Sequence, residues 1–380
     1  MSTLALSVLV LAAGAHAHQV AWAKGMYCKN GLSKTDSPNE SYPINPLFNL
    51  TTSGWFLHGQ CKNYPPPAGE YLSIPANGKF TVEIASNRAW TTFSYGGTKV
   101  TDWPDGRVHP NNWSTNITDP NFPPSSVGCI GSPNLHAHGK IDAAGTVFSI
   151  AYKSDIKSVK LSDFTVFSVL PNTPFKRLAT YQVPNLPACP SGGCICMWGW
   201  VPNGCGQSNM YQLPFKCKVT GAKLTATPLG KPKVPVWCQS NQKACVKGPK
   251  QMVIQYQASG NNVVLPPGMQ AEGGWPSPGY NSKMGFTAGA QTDIFVTATV
   301  KGQAVETASA ASAAVTAAAA ATDDDDLVAS STASVTTSGT VVGLPTASAL
   351  TGSARRSFGH ETYLFPVLHI SLFSWILSHL

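Results

Sequence analysis

Two histidines near the amino terminus stand where a new chain end would turn one of them into a metal ligand. His16 and His18 follow an apolar run over residues 4–13. A run of about ten residues suits the core of a secretory signal peptide and is too short to cross a bilayer. Small residues allow a cut after A-G-A or after A-H-A. The second cut gives the better length after the apolar core, so we predict a signal peptide over residues 1–17. His18 then becomes the first mature residue, with His16 as the alternative.

A histidine at the first position can chelate a metal by itself. Its α-amino group has a pKa near 8, low enough for a metal ion to displace the proton. The amine nitrogen and Nδ1 of the same residue then close a chelate ring, and a second histidine adds a third nitrogen. Three nitrogens in a T leave open positions in one plane, a geometry that suits Cu(II) better than zinc. With a tyrosine oxygen on the axis, such a flat site could reduce O2 or peroxide beside an extended substrate.

Several histidines could supply the second imidazole. Three of the nine lie in the C-terminal tail, which leaves His58, His109, His136 and His138 as internal candidates. His136 and His138 are two residues apart, so in an extended segment both would point to the same side. The residues alone therefore leave these two open. His109, in GRVHPNN, is a third candidate that we expect in a loop.

Between about residue 18 and residue 302, the sequence predicts an all-β domain. Long amphipathic helical patterns are scarce, and short β-branched or alternating runs recur between Pro- and Gly-rich turns. That spacing is typical of an antiparallel β-sandwich with long loops. The predicted strands are KFTVEIA (79–85), RAWTTFSY (88–95), TVFSIAY (146–152), FTVFSVL (164–170), KRLATYQV (176–183), KCKVTGA (216–222) and KQMVIQYQ (250–257).

The cysteine count fits secretion. An even number of cysteines in a secreted chain indicates disulfide bonds, which we expect to staple the long loops, although the sequence cannot pair them. A zinc site is the alternative, but the C-x4-C-x-C spacing around Cys194 is poor for zinc and no matching pair follows. The ten cysteines are Cys28, Cys61, Cys129, Cys189, Cys194, Cys196, Cys205, Cys217, Cys238 and Cys245. Four sequons predict N-glycans on surface loops, at Asn39, Asn49, Asn112 and Asn116.

The composition argues against two other classes of function. The formal charge is +8, but the basic residues are scattered without a run of five, so we expect no nucleic-acid partner. A glycosidase needs two well-placed carboxylates, and no acidic residue of the domain stands in a recognisable constellation.

The C-terminal part of the chain predicts a tether. Residues 303–352 are rich in Ala, Ser and Thr with an acidic block at 323–326, and so few large apolar residues cannot bury a core. We interpret them as a flexible stalk. Residues 353–380 join small residues, a polar spacer and an apolar tail, which is the pattern of a removable GPI-attachment signal. A single transmembrane anchor is the alternative. Both place the domain outside the cell, and the first leaves a lipid anchor as its only membrane contact.

Long stretches of the chain resemble a known family of fungal copper enzymes. The most specific stretch is CICMWGWVPNGCGQSNMY (194–211). On these residues the chain resembles the lytic polysaccharide monooxygenases, and among them auxiliary-activity family fourteen. The supporting stretches are HQVAWAKGMYCKNG (18–31), KFTVEIASNRA (79–89), GCIGSPNLH (128–136), the region from TPFKRLATYQV to KCKVTGA (173–222), PVWC (235–238) and KQMVIQYQASGNN (250–262).

The resemblance implies one copper ion in a histidine brace on an immunoglobulin-like β-sandwich. The amino-terminal histidine maps to His18, the second to His136 in SPNLH, and the axial tyrosine to Tyr211 in NMYQ. It implies oxidative cleavage of plant cell-wall polysaccharide, with xylan associated with cellulose as the substrate and oxidation at C1. An external electron donor and O2 or hydrogen peroxide are the implied partners, and we expect a monomer.

A relative without demonstrated polysaccharide cleavage supplies the competing function. It is a GPI-anchored copper-binding protein, so the predicted tail favours copper homeostasis at the cell surface, whereas the match over 173–222 favours the enzyme. Long loops around residues 37–44 and 112–127 depart from the pattern and put the substrate face in doubt. Aromatic residues could line that face, although we expect most of them in the core. The candidates are Trp55, Phe56, Trp103, Trp113 and Trp200.

Overall fold

The computed structural model describes residues 18–114, 129–131, 135–203, 207–266 and 277–296. They belong to the first of two units into which the chain divides, Met1–Gln303. The signal peptide, the stalk and the tail predicted above lie outside the described residues, and so do Asn116 and Cys205.

Short strands joined by long loops make up the described part of the chain. The strands are β1 (Val20–Trp22), β2 (Leu72–Pro75), β3 (Lys79–Ala85), β4 (Thr146–Ala151), β5 (Thr165–Leu170), β6 (Leu178–Gln182), β7 (Cys194–Trp200), β8 (Tyr211–Thr220) and β9 (Gly289–Ala290). One α-helical turn among the described residues, α1, spans Thr52–Trp55. The 3₁₀ turns are Tyr42–Ile44, Gly59–Asn63, Arg88–Trp90, Tyr95–Gly97, Lys140–Asp142, Ile156–Ser158, Leu161–Asp163, Gln242–Ala244 and Ser282–Met284.

The strands form two sheets. The smaller sheet has the order β1-β3-β6 and the larger one β2-β8-β7-β4-β5-β9. The pairs are antiparallel except β2 and β8, which run parallel from Leu72 opposite Cys217 to Pro75 opposite Thr220. The all-β prediction is thus confirmed for the described residues, but a wholly antiparallel arrangement is wrong at this edge. The immunoglobulin-like form of the sandwich stays a prediction.

Aromatic rings fill the space between the sheets. Phe80 of β3 lies 4.9 Å, centroid to centroid, from Phe148 of β4, and Tyr181 of β6 lies 4.8 Å from the same ring. Both contacts are edge-on, an arrangement that aromatic pairs favour. The Tyr181 hydroxyl is buried here but lies within hydrogen-bond distance of Thr146 and accepts from the Trp198 indole. The layer therefore joins the sheets with its polar groups satisfied.

Two of the predicted strands are wrong, because local hydrogen bonds satisfy their backbones without a neighbouring strand. Residues 88–95 begin with a 3₁₀ turn whose preceding residue, Asn87, accepts from the Ala89 N–H. Residues 250–257 lie outside the named strands. Asn262 stands in for a partner strand there, because its side chain accepts from the Ile254 N–H and donates to the Met252 carbonyl. Capping side chains of this kind compete with sheet formation.

Disulfide bonds staple the loops as predicted. The bridges between described cysteines are Cys28–Cys61, Cys189–Cys194, Cys196–Cys217 and Cys238–Cys245, and Cys129 is also disulfide-bonded. The zinc alternative at Cys189, Cys194 and Cys196 is wrong, because all three thiols are consumed in bridges.

Strand β7 is covered on both faces. All seven of its residues are buried, although successive side chains of a strand point to opposite faces. Trp198 and Trp200, two residues apart, share one of the two buried faces. Gly199 explains how the second face is covered. A Cβ there would lie 2.3 Å from the Met252 methyl carbon and 3.0 Å from the Tyr280 hydroxyl, so the later part of the chain packs directly against this strand.

Candidate metal centre

Two imidazoles converge on one phenol at the edge of the larger sheet. The Tyr211 hydroxyl oxygen lies 2.6 Å from Nδ1 of His18 and 3.1 Å from Nε2 of His136. The two imidazole rings are 6.1 Å apart, centroid to centroid, and nearly parallel, with an interplanar angle of 22°. The structure thus brings together the three residues that the sequence singled out. His18 presents the ring nitrogen that could form a chelate with its own α-amino group.

Two strands of different sheets position His18 and Tyr211. His18 lies two residues before β1, which pairs with β3 from Val20 opposite Ala85. Tyr211 is the first residue of β8 and lies opposite Trp200, the last residue of β7. The Trp200 and Tyr211 rings stack at 4.4 Å with an angle of 18°. Sheet register therefore fixes the phenol, and a fully buried tryptophan holds its ring plane.

A left-handed backbone turn presents His136. Its φ is +47°, and its neighbours Leu135 and Ala137 are both buried. Ala137 accepts a hydrogen bond from the Ile130 N–H, and Leu135 donates to the Ile130 carbonyl, so the turn is closed on both sides of His136. The Trp200 ring meets the His136 imidazole edge-on at 5.4 Å. Trp200 therefore contacts two of the three converging residues.

The turn separates His136 from His138, the alternative second ligand. His136 is 1% exposed, whereas the His138 side chain is 51% exposed. Nδ1 of His138 lies 2.7 Å from Oδ2 of Asp142. The expectation that both histidines point to the same side is wrong, because it needs an extended backbone and His136 is not extended. Of the two, His136 faces the phenol.

Burial sets the protonation state of the phenol. Tyr211 is 2% exposed, and loss of solvent raises its pKa well above the ordinary value of 10, against the lowering effect of a hydrogen bond from the Asn209 side chain. His18 is also buried, at 7% exposed. Tyr211 is therefore a neutral hydroxyl in the metal-free protein. Uncharged imidazole and oxygen donors are ligands that copper accepts.

The other internal histidines lie in different surroundings. His58 is buried with Nδ1 3.0 Å from the Gln212 carbonyl, and burial lowers its pKa to about 4. His109 lies 2.9 Å from the Asp105 carboxylate and stacks on Trp113 at 3.7 Å. Among the described residues, no group of three or more His, Cys, Asp and Glu side chains is placed to hold a metal ion. A pair of histidines with a tyrosine is the donor set that the described chain offers.

Sequence reasoning missed the polar groups buried around the site. Gln19, which follows His18, and Gln212, which follows Tyr211, are at most 1% exposed, and neither side-chain amide has a hydrogen-bond partner among the described residues. The Trp200 indole N–H is also buried without one. For Gln19 and Gln212, adjacency to His18 and Tyr211 in the sequence was the available signal. Because successive residues of a strand point to opposite faces, the Gln212 amide points away from the Tyr211 hydroxyl. Unsatisfied buried groups of this kind cost free energy.

The predicted glycan sites and the candidate aromatic residues differ in their exposure to solvent. Asn39, Asn49 and Asn112 are exposed, as glycan acceptors must be, and their modification stays a prediction. The candidate aromatic residues are mostly in the core, as expected, with Phe56 only half-buried. The buried ones are Trp55, Trp103, Trp113 and Trp200. In the described ranges, no helix is long and apolar enough to span a bilayer.

Comparison with known proteins places the chain in one family. A family model described as lytic polysaccharide monooxygenase AA14 matches residues 1–362. An AA14 family lytic polysaccharide monooxygenase B from Talaromyces rugulosus is 36% identical over 303 residues, which cover 78% of this chain and 99% of the relative. An AA14 family lytic polysaccharide monooxygenase A from Trametes coccinea is 34% identical, covering 80% and 67%. A family member B from Pycnoporus cinnabarinus is 31% identical, covering 75% and 72%.

Proposed function

Because the chain belongs to the AA14 family of lytic polysaccharide monooxygenases, which are copper-dependent oxidoreductases, we propose that His18, His136 and Tyr211 hold its copper ion. The observation that carries this proposal is the convergence of Nδ1 of His18 and Nε2 of His136 on the Tyr211 hydroxyl. A cut after Ala17 adds the α-amino nitrogen of His18 to this set, which completes three nitrogens and one oxygen.

Bound copper supplies electron transfer from an external donor to O2 or hydrogen peroxide, and the protein residues supply its surroundings. The imidazoles of His18 and His136 would hold the copper ion through ring nitrogens, and the Tyr211 hydroxyl would add an oxygen. In the metal-free protein, burial raises the pKa of this phenol. Trp200 packs against both His136 and Tyr211 and excludes water from that side.

The substrate we propose is plant cell-wall polysaccharide, and more narrowly xylan associated with cellulose, oxidised at C1. This choice rests on the family. The same resemblance supports an immunoglobulin-like packing of the two sheets. Since the chain binds one copper ion through its own residues, we propose that it works as a monomer.

Product analysis tests the reaction. Copper-loaded mature protein is incubated with a reductant and xylan-coated cellulose, and soluble products are identified by mass spectrometry. We expect aldonic-acid oligosaccharides from the wild type and from His138→Ala, which serves as the matched control, and none from His136→Ala. Intact polymer with tightly bound copper in the wild type would instead favour a copper-binding protein without cleavage activity.

The mature amino terminus tests the ligand set directly. Sequencing or intact-mass analysis of secreted protein is expected to find His18 as the first residue. A first residue of Ala17 or Gln19 would leave no chelating amine on His18 and would overturn the brace, whereas a start at His16 would move the chelate to the alternative histidine.

We also propose that the predicted stalk and tail tether the domain to the outside of the cell through a GPI anchor. The support is the sequence of residues 353–380. A phosphatidylinositol-specific phospholipase should release the protein from cells. Release by a protease alone, with the apolar tail still present in the membrane fraction, would indicate a transmembrane anchor.

A further inference from the structure

Two neighbouring hollows lie beside the Cys28–Cys61 bridge. The larger, of about 410 Å³, is lined by Lys29, Lys34 and Tyr64 among others. The smaller, of about 330 Å³, is lined by Lys62, Lys157 and Lys216. Asn63 and Pro65 line both, so the hollows share a wall and form one groove, which we call the lysine groove.

The lysine groove carries an excess of positive charge. In the described part of the chain, no acidic side chain forms an ion pair with Lys34, Lys62, Lys157 or Lys216, although Lys29 pairs weakly with Glu70 at 3.5 Å. Two acidic residues of the groove reduce this excess without removing it. The Asp36 carboxylate is 2.7 Å from the Arg88 guanidinium, and Asp155 places one negative charge beside Lys62, Lys157 and Lys216.

The frame of the groove is rigid. The Cys28–Cys61 bridge holds one wall, and the Cys28 N–H donates to the Tyr64 carbonyl at 2.9 Å. Residues 65–67 are three consecutive prolines, which restrict the backbone on that side. A groove whose backbone is already fixed loses little conformational entropy when a ligand binds.

The groove is separate from the candidate metal centre but lies on the same strand. Lys216 follows Tyr211 by five residues along β8, a distance of about 17 Å at the rise of an extended strand. Because the two residues are an odd number of positions apart, their side chains leave opposite faces of the strand, so the groove is a surface distinct from the candidate metal centre.

We propose that the lysine groove binds the carboxylates of an acidic polysaccharide, namely a xylan with uronic acid side groups. The lysines are spread over two hollows and contain no contiguous basic run, which suits carboxylates spaced along a neutral backbone. The half-buried Tyr64 offers an aromatic surface to the sugars between them. The choice of polysaccharide as the polymer class rests on the proposed function, whereas the preference for its acidic form rests on the groove.

A pair of matched ligands tests the charge preference. Binding of copper-loaded protein to glucuronic-acid-bearing xylan is compared with binding to the same xylan after its carboxyl groups are reduced to alcohols. The experiment uses affinity electrophoresis without a reductant, so no cleavage occurs. We expect clearly tighter binding to the acidic form, and this difference should shrink as salt is added. Equal binding to both forms overturns the proposal.

Combined charge-removing substitutions test the location. Lys62→Gln, Lys157→Gln and Lys216→Gln together should weaken binding to acidic xylan about tenfold, from three partly exposed charge contacts. The control removes three exposed lysines elsewhere, with Lys223→Gln, Lys243→Gln and Lys247→Gln, and should bind as the wild type does. An equal loss in both triple variants would show an effect of net charge alone and overturn the groove. Equally tight, equally groove-dependent binding of inorganic polyphosphate would overturn the carboxylate preference.

The test separates this proposal from the proposed function. His136→Ala should lose the oxidised products but prefer the acidic over the carboxyl-reduced xylan to the same degree as the wild type, because the groove does not include the candidate metal centre. Groove-dependent binding without any oxidised product would leave the groove standing and reject the monooxygenase reaction. Oxidised products without groove-dependent binding would support the monooxygenase reaction and reject the groove.

Discussion

The His18 and His109 clusters, two of the places where the described residues bury histidine among aromatic rings, differ in what the histidine nitrogens face. The His18 cluster consists of His18, His136, Tyr211 and Trp200. The His109 cluster consists of Asp105, His109, Trp113, Trp103 and Phe175. In the first, nitrogens from two histidines face one neutral hydroxyl, at 2.6 and 3.1 Å. In the second, His109 faces a carboxylate at 2.9 Å and lies flat on Trp113, with Trp103 edge-on at 5.1 Å.

This difference indicates that the His18 cluster is arranged to bind a ligand, whereas the His109 cluster stabilises the packing of the domain. A carboxylate beside a buried imidazole forms a hydrogen bond with its ring nitrogen and fixes the ring, so the His109 cluster is complete as a packing unit. In the His18 cluster, two imidazole nitrogens instead converge on one hydroxyl, and nitrogen and oxygen donors that meet at one point suit a bound cation. The two clusters are also joined, since Leu135 and Ala137, on either side of His136, belong to the same small core as Trp103 and Trp113. Burial of a histidine alone would not have told them apart.

The largest expected effect is the loss of copper binding when a histidine of the His18 cluster is replaced by alanine. Outer-shell partners of metal ligands are worth about 10- to 100-fold in affinity, so removing a ligand should cost more, about 1,000-fold for His136→Ala. The His109→Ala variant should bind copper within about tenfold of the wild type. Calorimetric titration of both proteins with Cu(II) measures the contrast. Equal losses would erase the distinction between the clusters.

In the metal-free protein the order of the two substitutions should be reversed. His109→Ala should lower the free energy of unfolding more than His136→Ala does. His109→Ala removes a stacked ring and leaves the Asp105 carboxylate, 9% exposed, without its partner. We expect a loss of about 3 kcal/mol in the free energy of unfolding. His136→Ala should cost less, because the contacts described for its ring, with the Tyr211 hydroxyl and the Trp200 ring, involve uncharged partners. Chemical denaturation measures both, and adding Asp105→Asn to His109→Ala should recover part of the loss. No recovery would assign the cost to packing alone.

His58 is a third buried histidine, and its contribution to stability should depend on pH. Burial lowers the pKa of His58 to about 4, so the folded protein binds its proton less readily than the unfolded chain does near pH 6.5. Its contribution to stability is present above pH 6.5 and is lost as the pH falls towards 4. Between pH 6.5 and pH 5 the expected loss is about 2 kcal/mol. Denaturation of wild type and His58→Gln as a function of pH measures it, and parallel curves would contradict the assignment.

The smallest expected effect is that of Tyr211→Phe. The substitution keeps the ring stacked on Trp200 and removes only the hydroxyl. As a weak axial donor, the hydroxyl should contribute little to affinity, about threefold or less, while its loss should alter the electron paramagnetic resonance spectrum of Cu(II). An affinity loss as large as that of His136→Ala would make Tyr211 a strong ligand. An unchanged spectrum would remove it from the ligand set.

The local sequence pattern predicted strands correctly where the segment itself contains the alternating or β-branched residues of a strand. KFTVEIA became β3 with the predicted bounds, and TVFSIA and TVFSVL became β4 and β5. It failed where a side chain eight to ten residues further along the chain replaced a neighbouring strand, as Asn262 does for residues 252–254. The parallel pairing of β2 with β8 joins residues about 145 apart, and no local pattern reports such a partner.

The candidate site was predictable in its members and not in its geometry. His18 and Tyr211 followed from the predicted cut and the family resemblance. The choice between His136 and His138 depended on the sign of one backbone angle, φ of +47° at His136, which spacing cannot show. The contribution of Trp200 was missed for a related reason. Its position opposite Tyr211 depends on the register of β7 and β8, which is set by the whole sheet.

The close approach at Gly199 determines how short a working version of this protein can be made. The Met252 side chain and the Tyr280 hydroxyl touch the strand that ends in Trp200, with no layer of atoms between. A fragment ending soon after Thr220 would keep all three converging residues yet expose the apolar face of β7 to water. The smallest unit worth expressing therefore extends beyond Tyr280, and the region after β8 is a structural part of the domain that cannot be removed as a loop.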